Sequence, residues 1–292
     1  MAEFEVRDLN PVLGAEISGI DLSSQLDADT VARLRATFDD RGVLLFRDLE
    51  LAAEDQAYIA GLLVGPTAPA DRASAEANSS IYADPYSNKV EGGYAPTGRL
   101  LYHSDSMWAD TPGQLLSLYG LEVGQPSVPT TFVSTVYAWA TLPAALKDRV
   151  AGLEAEQATG QRQRADDNDE LLKATHDATR TTVKPIGWTH PRTGRPILYV
   201  SEMVTTRIMG MEPDASEELL QELFAHLYGD PANFYQHEWR AGDLLIWDNL
   251  ATQHGRPNLT REAPERTLRK VIAPKPDYKM AKPKFEGASA SS

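Results

Sequence analysis

Apolar residues recur along the chain in two spacings, which predict a few helices among many short strands. Val31, Leu34 and Phe38 lie at helical spacing and predict a helix that ends before Gly42. The apolar run VLLFRD directly after Gly42 predicts a buried strand. Further helices are predicted at LAAEDQAYIAGLL, LPAALKDRVAGL and EPDASEELLQELFAHLYG, and further strands at GQLLSLYGLEV, TTFVSTVYAW, GRPILYVSE, GDLLIWDNL and RTLRKVIAP. This order predicts a mainly β fold with α decoration, built as a β-sandwich or jelly roll.

Local signals also mark boundaries along the chain. Asp214 and Glu217 have the spacing of a capping box and predict the start of the longest helix. Residues 66–100 are rich in Pro, Gly, Ser, Asn and Ala without helical or strand periodicity, so we expect a long active-site lid or loop there. No repeat or internal linker divides the chain. We therefore predict a single domain over residues 1–275 and a disordered tail at 276–292.

Composition and charge exclude several classes of protein. The chain has 292 residues with 42% hydrophobic composition, which is enough for a substantial core, and a net charge of −14. Such an acidic chain argues against a nucleic-acid groove or an anionic membrane surface, because both need a basic footprint. The absence of cysteine excludes disulfides, thiolate metal sites and thiol nucleophiles. No apolar stretch approaches the roughly 18 residues of a membrane span and no signal peptide is recognisable, so we expect a cytoplasmic protein.

The segment LYHSDSMW contains two candidate metal ligands. His103 and Asp105 are two residues apart, and at the end of a strand such residues project to the same side. His254, which follows the apolar strand GDLLIWDNL, is a third candidate. Two histidines and one carboxylate form the facial triad that binds non-haem iron(II) and leaves coordination positions open. The spacing alone is a weak signal, and it more often reflects an ordinary surface hydrogen bond together with an unrelated histidine at the end of a strand.

A candidate anion-binding residue follows these histidines. Arg266 opens the strand RTLRKVIAP, and a guanidinium there can bind a carboxylate through two parallel hydrogen bonds. Beside an iron ion, this arrangement suits a 2-oxo dicarboxylate whose far carboxylate pairs with the arginine. Taken alone, an arginine at the start of a strand is more often a solvated residue.

Several motifs, in their order along the chain, resemble the taurine dioxygenase family of iron(II)- and 2-oxoglutarate-dependent oxygenases. The motifs lie within about residues 5–275 and are LGAEISGIDLSSQL, GVLLFRD, YHSD, PTTFVSTVYAWATLP, YVSEMVTTRI and LLIWDNLATQHGRP. The resemblance implies a double-stranded β-helix core, dioxygenase activity, and Fe(II), 2-oxoglutarate and O2 as cofactor and cosubstrates. It also implies residue roles: the iron ligands match His103, Asp105 and His254, and the residues that bind the far carboxylate of 2-oxoglutarate match Thr130 and Arg266.

Departures from the family pattern bear on the substrate. Lys270 stands where taurine-type members have a second arginine that holds the substrate sulfonate, and a lysine keeps the charge but loses the bidentate fork. We therefore predict that Lys270 contacts the cosubstrate or the substrate. The retained carboxylate of Asp105 disfavours halogenation, since related halogenases lack it. We expect the substrate to contact residues near the iron, namely Tyr82, Tyr86, Tyr94, Ser106, Trp108, Val204 and Lys270, with simple packing as the alternative for each aromatic residue.

This set favours a mid-sized, mostly apolar small molecule, such as a terpenoid or another secondary metabolite in antibiotic biosynthesis. The expected reaction is oxidation of an unactivated C–H bond by hydroxylation, desaturation or further oxidation. One alternative is a dioxygenase for sulfonates or aryloxyalkanoates, and a more remote one is a non-catalytic 2-oxoglutarate-binding sensor. Family members often form dimers or tetramers, so the resemblance also implies a homo-oligomer.

Overall fold

A computed structural model describes residues 4–65, 71–91, 93–159, 174–175, 179–276 and 284–285. The helices are α1 (Ala28–Arg41), α2 (Ala53–Val64), α3 (Arg72–Ala77), α4 (Thr135–Thr141), α5 (Ala144–Val150) and α6 (Pro213–Gly229). None of them, in the described part of the chain, has the length and apolarity of a membrane-spanning segment.

The strands are short, as the sequence predicts, and few exceed five residues. They are β1 (Glu5–Asp8), β2 (Ala15–Ser18), β3 (Val43–Phe46), β4 (Ser80–Ile81), β5 (Tyr86–Ser87), β6 (Gly98–His103), β7 (Leu115–Val123), β8 (Thr130–Ser134), β9 (Glu154–Ala158), β10 (Ala174–Thr175), β11 (Thr181–Pro185), β12 (Gly187–Thr189), β13 (Pro196–Leu198), β14 (Thr205–Ile208), β15 (Tyr235–His237), β16 (Leu244–Asp248), β17 (Thr252–Leu259), β18 (Arg266–Ala273) and β19 (Lys284–Phe285).

Two sheets form the centre of the fold. The larger sheet has the order β1-β2-β3-β16-β7-β18-β4, with β5 also paired to β18, and the smaller has the order β15-β8-β17-β6. Strands β2 and β3 run parallel, and the other pairs in these two sheets are antiparallel. This arrangement is the predicted jelly roll with helices on the outside.

Alternating side chains of β16 show how the larger sheet is packed on both faces. Leu244 and Ile246 belong to the apolar cluster formed with helices α1 and α2. Leu245 and Trp247 point to the other face and pack with Phe132 of β8 from the smaller sheet. Because strand side chains alternate between faces, one apolar strand supplies both the helix-facing layer and the interior between the two sheets.

The motif TTFVSTVYAW is half strand and half helix, so the prediction of one strand is wrong. Strand β8 ends at Ser134, whose side chain accepts a hydrogen bond from the backbone N–H of Tyr137 at 3.1 Å. The Thr135 hydroxyl donates to the carbonyl of Leu250 at 2.7 Å. This capping starts α4 at a point where β-branched residues favour a strand, and local side-chain hydrogen bonds decide the outcome.

The segment 66–100 is not one loop, contrary to the prediction. It contains α3, β4 and β5, and β6 begins at Gly98, while residues 66–70 and residue 92 lie outside the described residues. The Asp71 carboxylate caps α3 by accepting from the backbone N–H of Ser74 at 3.0 Å. Strands β4 and β5 each pair with β18. Elements of two to six residues are too short to show a period, so the pattern of the segment did not reveal them.

Two predicted boundaries also differ in the structure. Helix α6 begins at Pro213 with Glu212 as its N-cap, so the predicted capping box of Asp214 and Glu217 does not form. Proline is favoured at the first helical position, which places Asp214 inside the first turn. Most of the tail predicted to be disordered, 276–292, lies outside the described residues, although β19 within it pairs with β10.

Candidate active site

Three side chains that can bind a metal come together where β6 and β17 pair. His103 is the last residue of β6 and lies opposite His254 of β17 in the register. Asp105 follows two residues later, as its spacing predicted. His254 lies within β17 rather than at the end of the preceding strand, because β16 ends at Asp248 and a turn leads directly into β17. The ligand atoms of the three residues all lie within 4.8 Å of one another.

The distances among these side chains fit one metal ion. Oδ1 of Asp105 lies 3.1 Å from His103 Nε2 and 3.7 Å from His254 Nε2. Metal–ligand bonds of about 2.1 Å at right angles separate neighbouring ligand atoms by about 3 Å. Nδ1 of His103 donates to the carbonyl of Leu101 at 2.8 Å, so in the neutral ring Nε2 is an acceptor that faces an acceptor carboxylate. A cation between these two atoms satisfies both.

The charge states of the ligands also suit a metal. Burial, followed by the neighbouring His103, holds the pKa of His254 well below its ordinary value, so its imidazole is neutral. Burial disfavours the ionised form of Asp105, but the Lys270 ammonium, the hydrogen bond to His103 and the two neighbouring histidines together outweigh burial and hold the pKa of Asp105 well below the usual range. A neutral imidazole and an ionised carboxylate are the forms that coordinate metals.

Asn249 fixes the loop that carries Asp105, and sequence reasoning missed it. Its Oδ1 accepts from the backbone N–H of Asp105, and its Nδ2 donates to the carbonyls of Asp105 and Gly113, each at 2.8 Å. The hydroxyl of Ser104 adds a bond to the carbonyl of Thr252 at 3.2 Å. The signal was present in the sequence, since an asparagine directly after a buried strand offers both a donor and an acceptor to nearby backbone.

Arg266 and Thr130 are hydrogen-bonded to each other in the interior between the two sheets. Nη2 of Arg266 donates to the Thr130 hydroxyl at 2.8 Å, and Nε donates to the carbonyl of Val128 at 3.0 Å. Trp239 also donates to the Thr130 hydroxyl at 3.0 Å, which leaves the hydroxyl hydrogen to donate elsewhere. Burial, then the charge of Arg256, holds the pKa of Arg266 well below its ordinary value. No carboxylate among the described residues pairs with this buried cation, so the pair fits an incoming carboxylate.

Lys270 contacts a metal-ligand candidate and is surrounded by the predicted tyrosines. Its Nζ donates to Asp105 Oδ2 and, at 3.1 Å, to the Tyr86 hydroxyl. The ammonium also lies 5.0 Å and 4.9 Å from the ring centroids of Tyr82 and Tyr86. Tyr94 stacks on Tyr86 at 5.3 Å and meets the edge of Tyr82 at 5.6 Å. The structure therefore brings the three tyrosines, Lys270 and Asp105 together.

The other predicted substrate residues lie around the loop that follows Asp105. Ser106 has a left-handed backbone with φ of 60°, and its carbonyl accepts from the N–H of Ala109 at 2.8 Å, which turns the loop. The guanidinium of Arg180 lies 5.1 Å from the Trp108 ring. Val204 is buried in an apolar cluster that includes Met107. Contact of Trp108 and Val204 with the substrate therefore stays a prediction.

Arg256 is a second residue that sequence reasoning missed. It lies two residues after His254 on β17, is buried, and donates to the carbonyls of Ala95, Thr97 and Gly98. Burial lowers its pKa to about 10. These hydrogen bonds join the segment between Tyr94 and β6 to β17, the strand that carries His254.

Comparison with known proteins shows the family to which the chain is similar. Residues 5–272 match the family model described as Taurine catabolism dioxygenase TauD, TfdA family. An alkylsulfatase from Acinetobacter baylyi is 29% identical over 260 residues, which are 86% of this chain and 79% of that protein. A pentalenolactone F synthase from Streptomyces avermitilis is 27% identical over 281 residues, 89% of this chain and 90% of that protein. The crystal structure of a taurine dioxygenase from Burkholderia xenovorans superposes with a TM-score of 0.71 at 26% identity and covers 92% of this chain and 90% of its own.

The fold, the His-Asp-His cluster and these comparisons define an iron(II)- and 2-oxoglutarate-dependent dioxygenase, an oxidoreductase that uses O2. Within that class, the chain belongs to the TauD/TfdA family. The resemblance and the cofactors predicted from the sequence are thereby confirmed.

Proposed function

We propose that His103, Asp105 and His254 bind the iron and that Arg266 and Thr130 bind the far carboxylate of 2-oxoglutarate. The grouping of the three ligand atoms within 4.8 Å of one another carries this proposal. Held by these residues, iron and 2-oxoglutarate would supply the oxidation of a C–H bond by O2, with succinate and CO2 as the products of 2-oxoglutarate. Arg266 and Thr130 orient the cosubstrate through charge-assisted hydrogen bonds, and burial of both residues excludes water from that end.

The substrate that these surroundings support best is a mid-sized, mostly apolar molecule, as in secondary-metabolite biosynthesis. Tyr82, Tyr86 and Tyr94 contact one another beside Lys270 and present aromatic rings rather than an unpaired charge. Aromatic walls with a few polar groups are typical of sites for such molecules. Similarity to pentalenolactone F synthase supports this reading, with hydroxylation, desaturation or further oxidation as the reaction.

Similarity to an alkylsulfatase favours the alternative, a dioxygenase for sulfonates or related anions. That reading needs a cation that can receive the anion. The ammonium of Lys270, which stands at the position of the family's second arginine, is bonded to Asp105 and Tyr86 instead. A non-catalytic sensor is less well supported, because all three ligand candidates and the Arg266–Thr130 pair are present together.

The test is anaerobic titration of Fe(II) and 2-oxoglutarate into the apo-protein, with the visible charge-transfer band as the signal. We expect a band with both ligands, a shift of that band with one member of a panel of terpenoid acids, sulfonates and aryloxy acids, and succinate formation in air. His103→Ala should abolish the band, whereas His226→Ala, on α6, should leave it intact. A full band in the His103→Ala protein would contradict the ligand assignment, and a band without any succinate would favour the sensor.

A further inference from the structure

Lys270 is the one lysine of β18, and its side chain points into the space between the two sheets. Along this strand, Leu268 packs in the interior cluster with side chains of both sheets, whereas Arg269 points outward and bonds to Gln56 of α2. Alternation along a strand therefore places Lys270 on the same face as Leu268 and Arg266. Its side chain is 5% exposed, so its charge has to be balanced by neighbouring side chains.

The two oxygens of Asp105 have different partners. Oδ1 faces the Nε2 atoms of His103 and His254 at 3.1 and 3.7 Å. Oδ2 accepts from the Nζ of Lys270. A carboxylate oxygen held by an ammonium is not free to turn toward a metal on the other side of the group.

The ammonium is itself fixed in place. The Tyr86 hydroxyl lies 3.1 Å from Nζ, and the faces of the Tyr82 and Tyr86 rings lie about it at 5.0 and 4.9 Å. Cation–π contact and a hydrogen bond together restrain a flexible lysine that would otherwise sample many rotamers.

We propose that Lys270, supported by Tyr86, is a positioning residue that holds Oδ2 of Asp105 so that the carboxylate gives only one oxygen to the metal. This inference rests on the iron and 2-oxoglutarate site proposed above. A carboxylate that binds through one oxygen would leave three positions on the metal, two for a chelating cosubstrate and one for O2, whereas binding through both oxygens would leave only two. A residue that hydrogen-bonds to a ligand in this way tunes the metal without touching it.

Because the Lys270 ammonium is bonded to Asp105 and Tyr86, it is not available to bind an anionic substrate. A sulfonate or carboxylate at this point would have to take the ammonium away from Asp105. Arg256 does not replace it, because both terminal nitrogens donate to the carbonyls of Ala95, Thr97 and Gly98 and only the buried Nε has no partner among the residues that the structure describes, so its guanidinium cannot bind an anion through two parallel bonds. The part of the substrate that meets Lys270 is therefore uncharged.

Lys270→Met tests the positioning role, because methionine keeps the length of the side chain and loses the charge. With Co(II) in place of iron, we expect the visible d–d bands to change in position and intensity as the second Asp105 oxygen takes the place of a bound water. The dissociation constant of 2-oxoglutarate from the metal-loaded protein should rise about tenfold, the usual scale for losing a partner of a metal ligand. Lys270→Arg should restore both signals, and Tyr86→Phe should shift them in the same direction by less.

Lys147→Met is the matched control, since Lys147 also lies over an aromatic ring, that of Trp139, but on the helical surface. A wild-type Co(II) spectrum and 2-oxoglutarate affinity in a folded Lys270→Met protein would overturn the positioning role. Taurine and phenoxyacetate should leave the band of the wild-type Fe(II)–2-oxoglutarate complex unchanged, and a shift with either would overturn the uncharged contact. If the wild-type protein itself gives no band, the proposed function fails first, which separates the two failures.

Discussion

Arg266 offers the sharpest test of cosubstrate binding at the level of a single residue. Lysine at this position keeps the charge but loses the fork that reaches Thr130 and Val128. Because hydrogen bonds to charged groups contribute about 1.5–3 kcal/mol, Arg266→Lys should weaken 2-oxoglutarate binding roughly 10- to 150-fold. Titration of the visible band measures this effect. Arg269→Lys, on the opposite face of the same strand, should change the affinity little, and an equal loss in both variants would refute the specific role.

His237 should make the stability of the fold depend on pH. Burial lowers the pKa of His237, and the nearby Asp243 opposes this effect only in part. The unfolded chain, with a histidine pKa of about 6.5, binds a proton below that pH which the folded His237 does not bind. The free energy of unfolding should therefore fall as the pH drops below about 6.5. Urea unfolding across this range should show a smaller fall in His237→Gln, and identical slopes in both proteins would count against the explanation.

Residue types and spacings made the metal ligands predictable, but not the partners of those ligands. His103 and Asp105 are close in sequence, so a strand end brings them together whatever the rest of the fold does. The pairing of Lys270 with Asp105 spans 165 residues and depends on the register of β18 against β7. The sequence gives the charge of Lys270 but does not show which carboxylate its side chain contacts. From the sequence, Lys270 was therefore predicted to bind cosubstrate or substrate.

At the level of elements, the turn between β16 and β17 should control metal affinity through Asn249. Asn249→Ala removes three hydrogen bonds to the loop of Asp105 and leaves buried backbone groups without partners, at a cost of about 1–3 kcal/mol each. We expect a lower free energy of unfolding and about tenfold weaker Fe(II) binding. Urea unfolding and metal titration measure the two effects.

Asn233 provides a closely matched comparison for that variant. It accepts from the N–H of Ser134 and donates to the carbonyls of Ser134 and Leu227, at 2.8, 3.1 and 3.2 Å. Asn233→Ala should destabilise the fold to a similar extent while metal affinity stays close to wild type. If both variants lost metal affinity equally, the effect would be one of general stability rather than of the loop.

Elements with a long or strongly alternating pattern were predictable, and those set by local hydrogen bonds were not. Helix α1 begins after Asp27, which caps it, and ends at Gly42, which has a φ of 68°. Both signals are visible in the sequence. Helix α4 follows β8 without a break, and its start depends on the Ser134 side chain and on a hydrogen bond from Thr135 to the distant Leu250. The second contact exists only once the strands have assembled.

At the scale of the whole molecule, removal of the metal should leave the fold intact. The apolar clusters that join the two sheets and the helices are built without the three ligand residues. A metal at 100 times its dissociation constant adds about 2.7 kcal/mol, which corresponds to about 4–5 °C in the unfolding temperature for a chain of 292 residues. Thermal unfolding with and without a chelator measures the shift. His103→Ala should show no shift, and loss of secondary structure on chelation would contradict the prediction.

Strand β18 carries Arg266 and Lys270, and it also pairs with β4 and β5 from the segment that holds the tyrosines. These pairings are made by the main chain, so they persist when side chains in the segment change. Over evolutionary time, the segment can accumulate substitutions at Tyr94, which does not touch Lys270, and still dock on the same strand. A lineage can therefore acquire a new substrate by ordinary point mutation while the machinery for oxygen chemistry is inherited unaltered.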